Sequence, residues 1–344
     1  MKIVVVGSRG SLGAALVKHW NDPFVEERIA ANVGRPVAAS NDEIAPLNLP
    51  DFDMCSRLAT LDMIGDLKPD VVINVAGVNH IDWLESHANT ARNLHATGPA
   101  HLRDASKRVG AKFVQFSCAE VFYRSKLEPG AADVRERAES PEAARKRVKP
   151  FADDGDSPLP IDPSAPGFDE LTVPNPANVY AKTKLESERV ASEAENSLIL
   201  RLSALFGEPS DYSSGNLVSS LLNAFCRANR ISVINDRLVE PLWAIDVLCA
   251  LKTLLRADAT GLYHLTGGSR GTPKEIAEFL LKQTGLRDRE IVGITTEEYG
   301  AKVPQSAFPI LASTKYDQVD GAYKLPDWKK SIDDYFERRA NMFM

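Results

Sequence analysis

Two side chains in the middle of the chain have the types and spacing needed for proton transfer. Tyr180 and Lys184 lie four residues apart in NVYAKTKLE, so a helix there places both on one face. A phenol is a weak acid, with a pKa of about 10. We expect the ammonium of Lys184 to lower that pKa. Such a pair can give a proton to a carbonyl oxygen as a hydride reaches the carbon, or remove one in reverse.

A glycine-rich turn upstream predicts the binding of a dinucleotide. It lies between the β-branched run 2–6 and the helical pattern 12–20. Glycines there allow a tight turn and a close approach to a pyrophosphate, and the helix start offers unpaired N–H groups. The predicted cofactor-binding residues of the turn are Gly7, Ser8, Arg9, Gly10, Ser11, Leu12 and Gly13.

Charge near this turn favours NADP over NAD. NAD sites usually carry an acidic residue about 20 residues beyond the glycines, whereas an Arg suits the 2′-phosphate of NADP. Arg9 lies inside the turn, and the predicted second strand, 36–39, ends at Ser40 with no carboxylate at its tip. We therefore place Ser40 beside the adenosine ribose. Asp42 is close enough to keep NAD as an alternative.

Apolar runs and helical patterns alternate along the rest of the chain. Further strands are predicted at 71–75, 111–117, 197–202, 231–234 and 262–265, and helices at 86–109, 217–228, 245–255 and 273–283. Continuous apolar runs are typical of strands that are covered on both faces. The pattern predicts an α/β fold with a mainly parallel, doubly wound sheet.

The segment 123–176 interrupts this alternation. It has no sustained apolar period, and nine of the chain's 21 prolines fall between Pro129 and Pro176. We interpret it as an insertion with one short charged helix at 141–149. A solvated surface excursion and a lid or subunit contact are both open interpretations.

Composition excludes several classes of protein. With 344 residues, 44% hydrophobic and 26% charged, the chain is neither collagen-like nor disordered nor a disulfide scaffold. The net charge of −6 gives no general attraction to nucleic acid or anionic membranes. The N-terminal apolar run is too short for a signal peptide or a membrane span. The four cysteines show no metal-ligand spacing. We expect a soluble, cytoplasmic protein that binds no metal.

Three motifs together resemble a known family. They are VVVGSRGSLG at 4–13, PDVVINVAG at 69–77 and NVYAKTK at 178–184. These look like the motifs of extended short-chain dehydrogenases/reductases. More narrowly, the chain is similar to the dTDP-4-dehydrorhamnose reductase group, which includes the regulatory β subunit of methionine adenosyltransferase. The resemblance spans nearly the whole chain apart from the insertion.

The resemblance implies a Rossmann domain with a smaller C-terminal substrate lobe, and it assigns roles to residues. Tyr180 would be the catalytic acid, and Lys184 would bind the nicotinamide ribose while it tunes the phenol. Asn93 would hold a proton-relay water or stabilise a helix kink. The remaining cofactor contacts implied are Gly7, Gly10 and Gly13 at the pyrophosphate, Asp53 and Met54 at the adenine, and Ala76 and Gly77 along the cofactor.

One departure from the family pattern concerns the catalytic Ser or Thr, whose position falls on Cys118. A thiol is a weak hydrogen-bond donor and polarises a carbonyl poorly. Ser117 is adjacent, but successive strand side chains point to opposite faces. Activity therefore depends on Tyr180 alone, or the strand end shifts to present Ser117, or the protein no longer reduces sugars. Cys118 is equally acceptable as a small buried residue.

Two further departures concern the substrate end. The interval from Cys118 to Tyr180 is 62 residues, longer than in most relatives, because it contains the insertion. Phe308-Pro309 stands where the group often has Arg-Pro, which removes a cation that could bind a nucleotide diphosphate. Arg237 or Arg201 could replace that cation, and either could instead be a structural ion-pair partner.

The sequence thus predicts a dinucleotide-binding domain at 1–203, completed by 231–265, and a substrate lobe at 204–230 and 266–344. The leading hypothesis is an NADP(H)-dependent reductase of a ketone on a sugar-like or nucleotide-linked substrate, acting as a dimer. One alternative is a non-catalytic NADP-binding regulatory subunit. Another is a nucleotide-sugar epimerase or dehydratase with tightly held NAD.

Overall fold

The fold is built on parallel strands. A computed structural model describes residues 1–124, 166–207, 215–286 and 288–342. Its strands are β1 (Lys2–Val6), β2 (Glu43–Leu47), β3 (Val71–Asn74), β4 (Lys112–Cys118), β5 (Ser197–Leu202), β6 (Ala204–Phe206), β7 (Arg230–Ile234), β8 (Pro241–Trp243), β9 (Gly261–Leu265) and β10 (Glu290–Ile294). Six of them form one parallel sheet in the order β2-β1-β3-β4-β5-β9, which confirms the predicted α/β, doubly wound fold class.

Helices cover both faces of this sheet. They are α1 (Ser11–His19), α2 (Pro23–Val33), α3 (Arg57–Leu67), α4 (Ile81–Ser86), α5 (Ala88–Arg92), α6 (Gly98–Val109), α7 (Val179–Ser192), α8 (Leu217–Arg227), α9 (Ala244–Arg256), α10 (Pro273–Thr284) and α11 (Trp328–Met342). The helix predicted at 86–109 is two helices, α5 and α6, joined by a π-helical turn, Asn93–Thr97. Among the described helices, none is both long and apolar enough to cross a membrane.

The alternating side chains of β1 show why its residues 3–6 are all apolar. Ile3 and Val5 pack into one hydrophobic cluster with α1, α2 and α9. Val4 and Val6 pack into a second cluster on the other face with α3 and α6. Because both faces of the strand are buried, removing its side chains from water stabilises the two layers of helices at once.

The second strand of the sheet is not where the sequence predicted it. Residues 36–39 form no strand, and β2 pairs with β1 so that Glu43 is opposite Lys2. Ser40 therefore precedes the amino end of β2, and its hydroxyl donates to Glu26 Oε1 at 2.7 Å. Asp42 lies at the same end of β2, where its carboxylate accepts a hydrogen bond from the N-terminal ammonium at 2.7 Å. The placement of Ser40 at the adenosine ribose is wrong, because the glycine turn follows the carboxyl end of β1, at the other end of these parallel strands.

Two small parallel sheets lie apart from the six-stranded sheet. The strand predicted at 231–234 exists as β7, but it pairs with β10 outside the six-stranded sheet, and β6 pairs with β8. Phe168, in the described end of the insertion, forms a β-bridge to Leu311, far later in the chain. The predicted helix at 141–149 and most of the insertion lie outside the described residues. The division of the chain into two lobes stays a prediction.

Candidate active site

A cavity of about 610 Å³ lies at the carboxyl ends of the central strands, where ligands of open α/β sheets usually bind. Residues from early and late in the chain contribute to its wall. The lining includes 10–12 from the glycine turn, 75–81 after β3, 116–120 at the end of β4, Tyr180 and Lys184 from α7, and 202–205, 215–217 and Arg237 from later in the chain.

The three glycines of the turn meet different requirements. Gly7 has φ +86°, and a Cβ there would lie 2.5 Å from the Ala76 nitrogen. A Cβ on Gly13 would lie 2.1 Å from the Gly7 oxygen, so α1 could not pack against β1. Within the described part of the chain, the only atom near a Cβ at Gly10 is the Gly7 oxygen at 3.5 Å, which is an ordinary contact. The fold demands glycine at 7 and 13, whereas glycine at 10 leaves room beside the cavity.

Residues predicted for the adenosine end lie beyond the described cavity lining. Arg9 Nη1 donates to the Leu49 oxygen at 3.1 Å, just past the carboxyl end of β2. Ser8 Oγ donates to the Leu47 oxygen at 3.4 Å. Asp53 is exposed and accepts from the Cys55 N–H at 2.9 Å. Met54 is 5% exposed and belongs to the core. The side chain of Arg9 is thus the cation that the turn places near this end.

Tyr180, Cys118 and Lys184 come together at the end of β4. The phenol of Tyr180 and the thiol of Cys118 are hydrogen-bonded. Lys184 Nζ lies one helical turn away and donates to the Phe116 oxygen at 2.6 Å. Burial raises the pKa of the Cys118 thiol to about 11, although the charge of Lys184 opposes it. The thiol therefore stays protonated at neutral pH and is a weak donor rather than a nucleophile.

The pKa of Tyr180 is raised, whereas we expected it to be lowered. Burial, followed by interactions with Cys118 and the charge of Glu120, holds the pKa of Tyr180 well above its usual value. Burial also lowers the pKa of Lys184, because an ammonium is less favourable away from water. The site therefore keeps Tyr180 as a neutral phenol, which is the form that can donate a proton.

Ser117 faces away from Tyr180. Its hydroxyl donates to Glu188 Oε1 at 2.5 Å, and the same carboxylate accepts from Arg201 Nε at 2.8 Å and Nη2 at 2.6 Å. Arg201 and Glu188 are 3% and 6% exposed. This buried network holds Ser117, so the strand end does not present it in place of Cys118. It also makes Arg201 a structural ion-pair partner.

The structure does not bring Asn93 to the cavity; its side chain is exposed at the start of the π-helical turn. His95, which the sequence reasoning missed, lies there instead. Its Nε2 accepts from the Val78 N–H at 3.2 Å, and its Nδ1 lies 2.9 Å from Thr183 Oγ1. The ring is T-shaped to the Tyr180 ring, with centroids 5.7 Å apart. Burial, with the charge of Lys184, lowers the pKa of His95 to about 3, so the ring is neutral.

Phe308, which stands where the group often has arginine, has two cations beside its ring. Phe308 is fully buried, and the guanidinium carbons of Arg124 and Arg270 lie 5.2 and 5.4 Å from its ring centroid. Its neighbour Pro309 lines the cavity. In the described ranges, no cluster of three or more His, Cys, Asp or Glu side chains could hold a metal ion.

A parallel doubly wound sheet, a glycine turn and a Tyr/Lys pair at one cavity define an extended short-chain dehydrogenase/reductase. The chain belongs to the family described as the RmlD substrate binding domain, which it matches over residues 154–341. Residues 3–148 match the NAD dependent epimerase/dehydratase family.

Individual relatives are distant in sequence but similar along their whole length. The spore coat polysaccharide biosynthesis protein SpsK of Bacillus subtilis is 22% identical, and the alignment covers 99% of this chain and 98% of that protein. A dTDP-4-dehydrorhamnose reductase of Sinorhizobium fredii is 25% identical, with 96% and 95% covered. The solved dTDP-4-dehydrorhamnose reductase of Bacillus anthracis, in complex with NADP, superposes with a TM-score of 0.76 at 20% identity, covering 98% of this chain and 99% of that one.

Proposed function

We propose that this protein is an NADPH-dependent reductase of a ketone on a sugar-like, nucleotide-linked substrate. The observation that carries the proposal is the meeting of Tyr180, Cys118 and Lys184 in one cavity with the open side of Gly10. Proton donation needs the three side chains, dinucleotide binding needs the glycine turn, and a reductase needs both at one cavity.

The glycine turn fits a dinucleotide. Gly10 has the room that a pyrophosphate needs for close approach, and the start of α1 offers N–H groups to it. Arg9, beside the carboxyl end of β2, is suited to the 2′-phosphate of NADP. Ala76 and Gly77 would lie along the cofactor, and Asp53 and Met54 near the adenine. The relative solved with NADP supports this choice.

Each residue of the centre has a distinct part in the reaction. Bound NADPH supplies the hydride. Tyr180 donates its proton to the ketone oxygen, and its raised pKa keeps that proton in place until the oxygen becomes basic. Lys184 binds the nicotinamide ribose and stabilises the phenolate that remains. Cys118 adds a weak hydrogen bond at the same oxygen. His95 packs against the Tyr180 ring and accepts a hydrogen bond from the segment after β3, and so keeps both in position.

The experiment measures NADPH binding by fluorescence and NADPH oxidation with dTDP-4-dehydrorhamnose. We expect the wild-type protein to do both. Tyr180→Phe should bind NADPH normally and lose at least about a hundredfold in kcat, the usual contribution of a general acid. Tyr299→Phe is the matched control, because Tyr299 is 65% exposed. A Tyr180→Phe variant with full activity would refute the proposed function.

The weak donor at Cys118 also favours a second candidate, a regulatory subunit that binds NADP without turnover. That candidate predicts NADPH binding, no oxidation of NADPH over a panel of keto-sugars, and stable co-purification with a larger enzyme. An epimerase or dehydratase predicts instead that NAD is retained through purification and that no NADPH is consumed. The same two measurements therefore separate all three functions.

A further inference from the structure

A carboxylate lies beside the proton-donating pair. Glu120 belongs to the short 3₁₀ turn, Ala119–Val121, that directly follows β4, and it lines the cavity with Cys118 and Tyr180. Its side chain is 13% exposed. The charge of Glu120 helps to raise the pKa of both the thiol and the phenol, which shows that the carboxylate is close to both.

The partner of this carboxylate comes from a distant part of the chain. Arg237, in the connection between β7 and β8, donates from Nη2 to Glu120 Oε1 and from Nη1 to Gln305 Oε1. Its side chain is 17% exposed and lines the same cavity. The Nε N–H of Arg237 is buried and finds no acceptor among the described residues. The pair therefore joins the two walls of the cavity and fixes the position of the Glu120 carboxylate.

The pair also balances charge near the reacting oxygen. Hydride addition places negative charge on a ketone oxygen, and an isolated carboxylate nearby would oppose this. Arg237 offsets the charge of Glu120 through one oxygen only. Oε2 of Glu120 accepts no hydrogen bond from a described residue, so this oxygen is left for a donor on the substrate. Ionised carboxylates form strong hydrogen bonds with hydroxyl groups.

We infer that Glu120 is a further substrate-binding residue, which accepts a hydrogen bond from a hydroxyl on the carbon next to the ketone, and that Arg237 positions it. This inference rests on the proposed function and narrows its substrate class to α-hydroxy ketones. It gives the two side chains a part in substrate specificity, which a purely structural ion pair would not have.

The test compares wild type with Glu120→Gln, using NADPH and dTDP-4-dehydrorhamnose, whose ketone is flanked by a hydroxyl-bearing carbon. Replacing a charged acceptor with a neutral one is expected to lower kcat/KM by about tenfold. The Kd for NADPH should stay within about twofold of wild type. The alkaline limb of the kcat/KM profile should move to lower pH, because the phenol ionises more easily without a neighbouring anion.

Two further variants separate recognition from structure. Glu290→Gln removes an exposed ion pair, with Glu290 60% and Arg230 68% exposed, and should leave all three readouts unchanged. Arg237→Gln leaves the carboxylate uncompensated and should lower kcat more than Glu120→Gln does. The double variant should recover to the level of Glu120→Gln, since no lone anion remains.

The outcomes distinguish the two proposals. A wild-type protein that turns over, matched within about twofold in kcat/KM by Glu120→Gln with the same pH profile, overturns this inference alone. A wild-type protein that binds NADPH but oxidises none refutes the proposed function and this inference with it. Loss of kcat/KM at an unchanged Kd for NADPH supports the inference, because a disrupted site would lose NADPH affinity as well, whereas the shifted alkaline limb follows from the charge of Glu120 alone.

Discussion

Replacing Cys118 by serine is expected to make the enzyme faster. The side chain lies at the end of β4, is hydrogen-bonded to Tyr180 and faces the cavity, so it reaches the oxygen that receives the proton. Its backbone, at φ −145° and ψ 162°, is extended and accepts serine without strain. A neutral hydrogen bond contributes about 1 kcal/mol, and a thiol provides little of that. A full hydroxyl donor should therefore raise kcat about fivefold.

The assay is the rate of NADPH oxidation at saturating dTDP-4-dehydrorhamnose. Cys118→Ala should change kcat by less than about threefold, since the wild-type donor is weak. Cys226→Ser, on the exposed side of α8, is the matched control and should have no effect. The reasoning is refuted if Cys118→Ser is no faster than wild type while its NADPH affinity is unchanged.

Three further predictions concern stability and cofactor binding. Burial raises the pKa of Glu240 to about 7, so the folded state binds a proton more tightly than the unfolded chain does. The free energy of unfolding should therefore fall by about 3 kcal/mol as pH rises from about 4.5 to about 7. Urea titrations at several pH values should show a weaker pH dependence of this free energy in Glu240→Gln. Arg201→Met leaves Glu188 buried and unpaired and should destabilise by about 3–5 kcal/mol in urea unfolding, whereas a loss below about 1 kcal/mol would contradict the buried pair. Gly10→Ala should unfold like wild type, yet fluorescence should show that it binds NADPH at least about tenfold more weakly. Gly13→Ala should lose thermal stability, because its Cβ would lie 2.1 Å from the Gly7 oxygen. Equal NADPH affinity in Gly10→Ala and wild type would contradict the binding of the pyrophosphate at the glycine turn.

Local sequence patterns correctly predicted the elements whose side chains are buried on both faces. The prediction of β1, the turn and α1 is confirmed because four consecutive β-branched residues have core neighbours on both sides. The strand at 197–202 is predicted to the residue for the same reason, since all six of its positions are buried. Helical spacing also places Tyr180 and Lys184 on one face of α7.

The second strand was missed because it is an edge strand. β2 reads EIAPL, contains Pro46 and is buried only at Leu47, so its pattern resembles a loop. Proline is tolerated there because one side of an edge strand needs no ladder hydrogen bonds. Because residues 36–39 are more apolar than β2, the strand was predicted there, and Ser40 was therefore placed at the wrong end of β2. Its true environment depends on Glu26, a contact that no local pattern reveals.

Residues that act through distant contacts were also missed. His95 reaches the site because a π-helical turn rotates it inwards, where Val78 and Thr183 hold it. Glu120 and Arg237 lie 117 residues apart, and only folding brings them together. For His95, the sequence offered no clear signal, because the helical stretch around it is polar. For Glu120, an available signal was a carboxylate directly after a buried strand.

The central claim is that Tyr180 presents a neutral phenol beside the reactive ring of a bound dinucleotide. An experimental structure of the protein with NADPH tests this most directly. We expect the nicotinamide ring to lie within about 4 Å of the Tyr180 hydroxyl, with the ribose on Lys184 and the pyrophosphate over Gly10. A nicotinamide ring bound outside the cavity, or a Tyr180 hydroxyl directed away from it, would contradict the account.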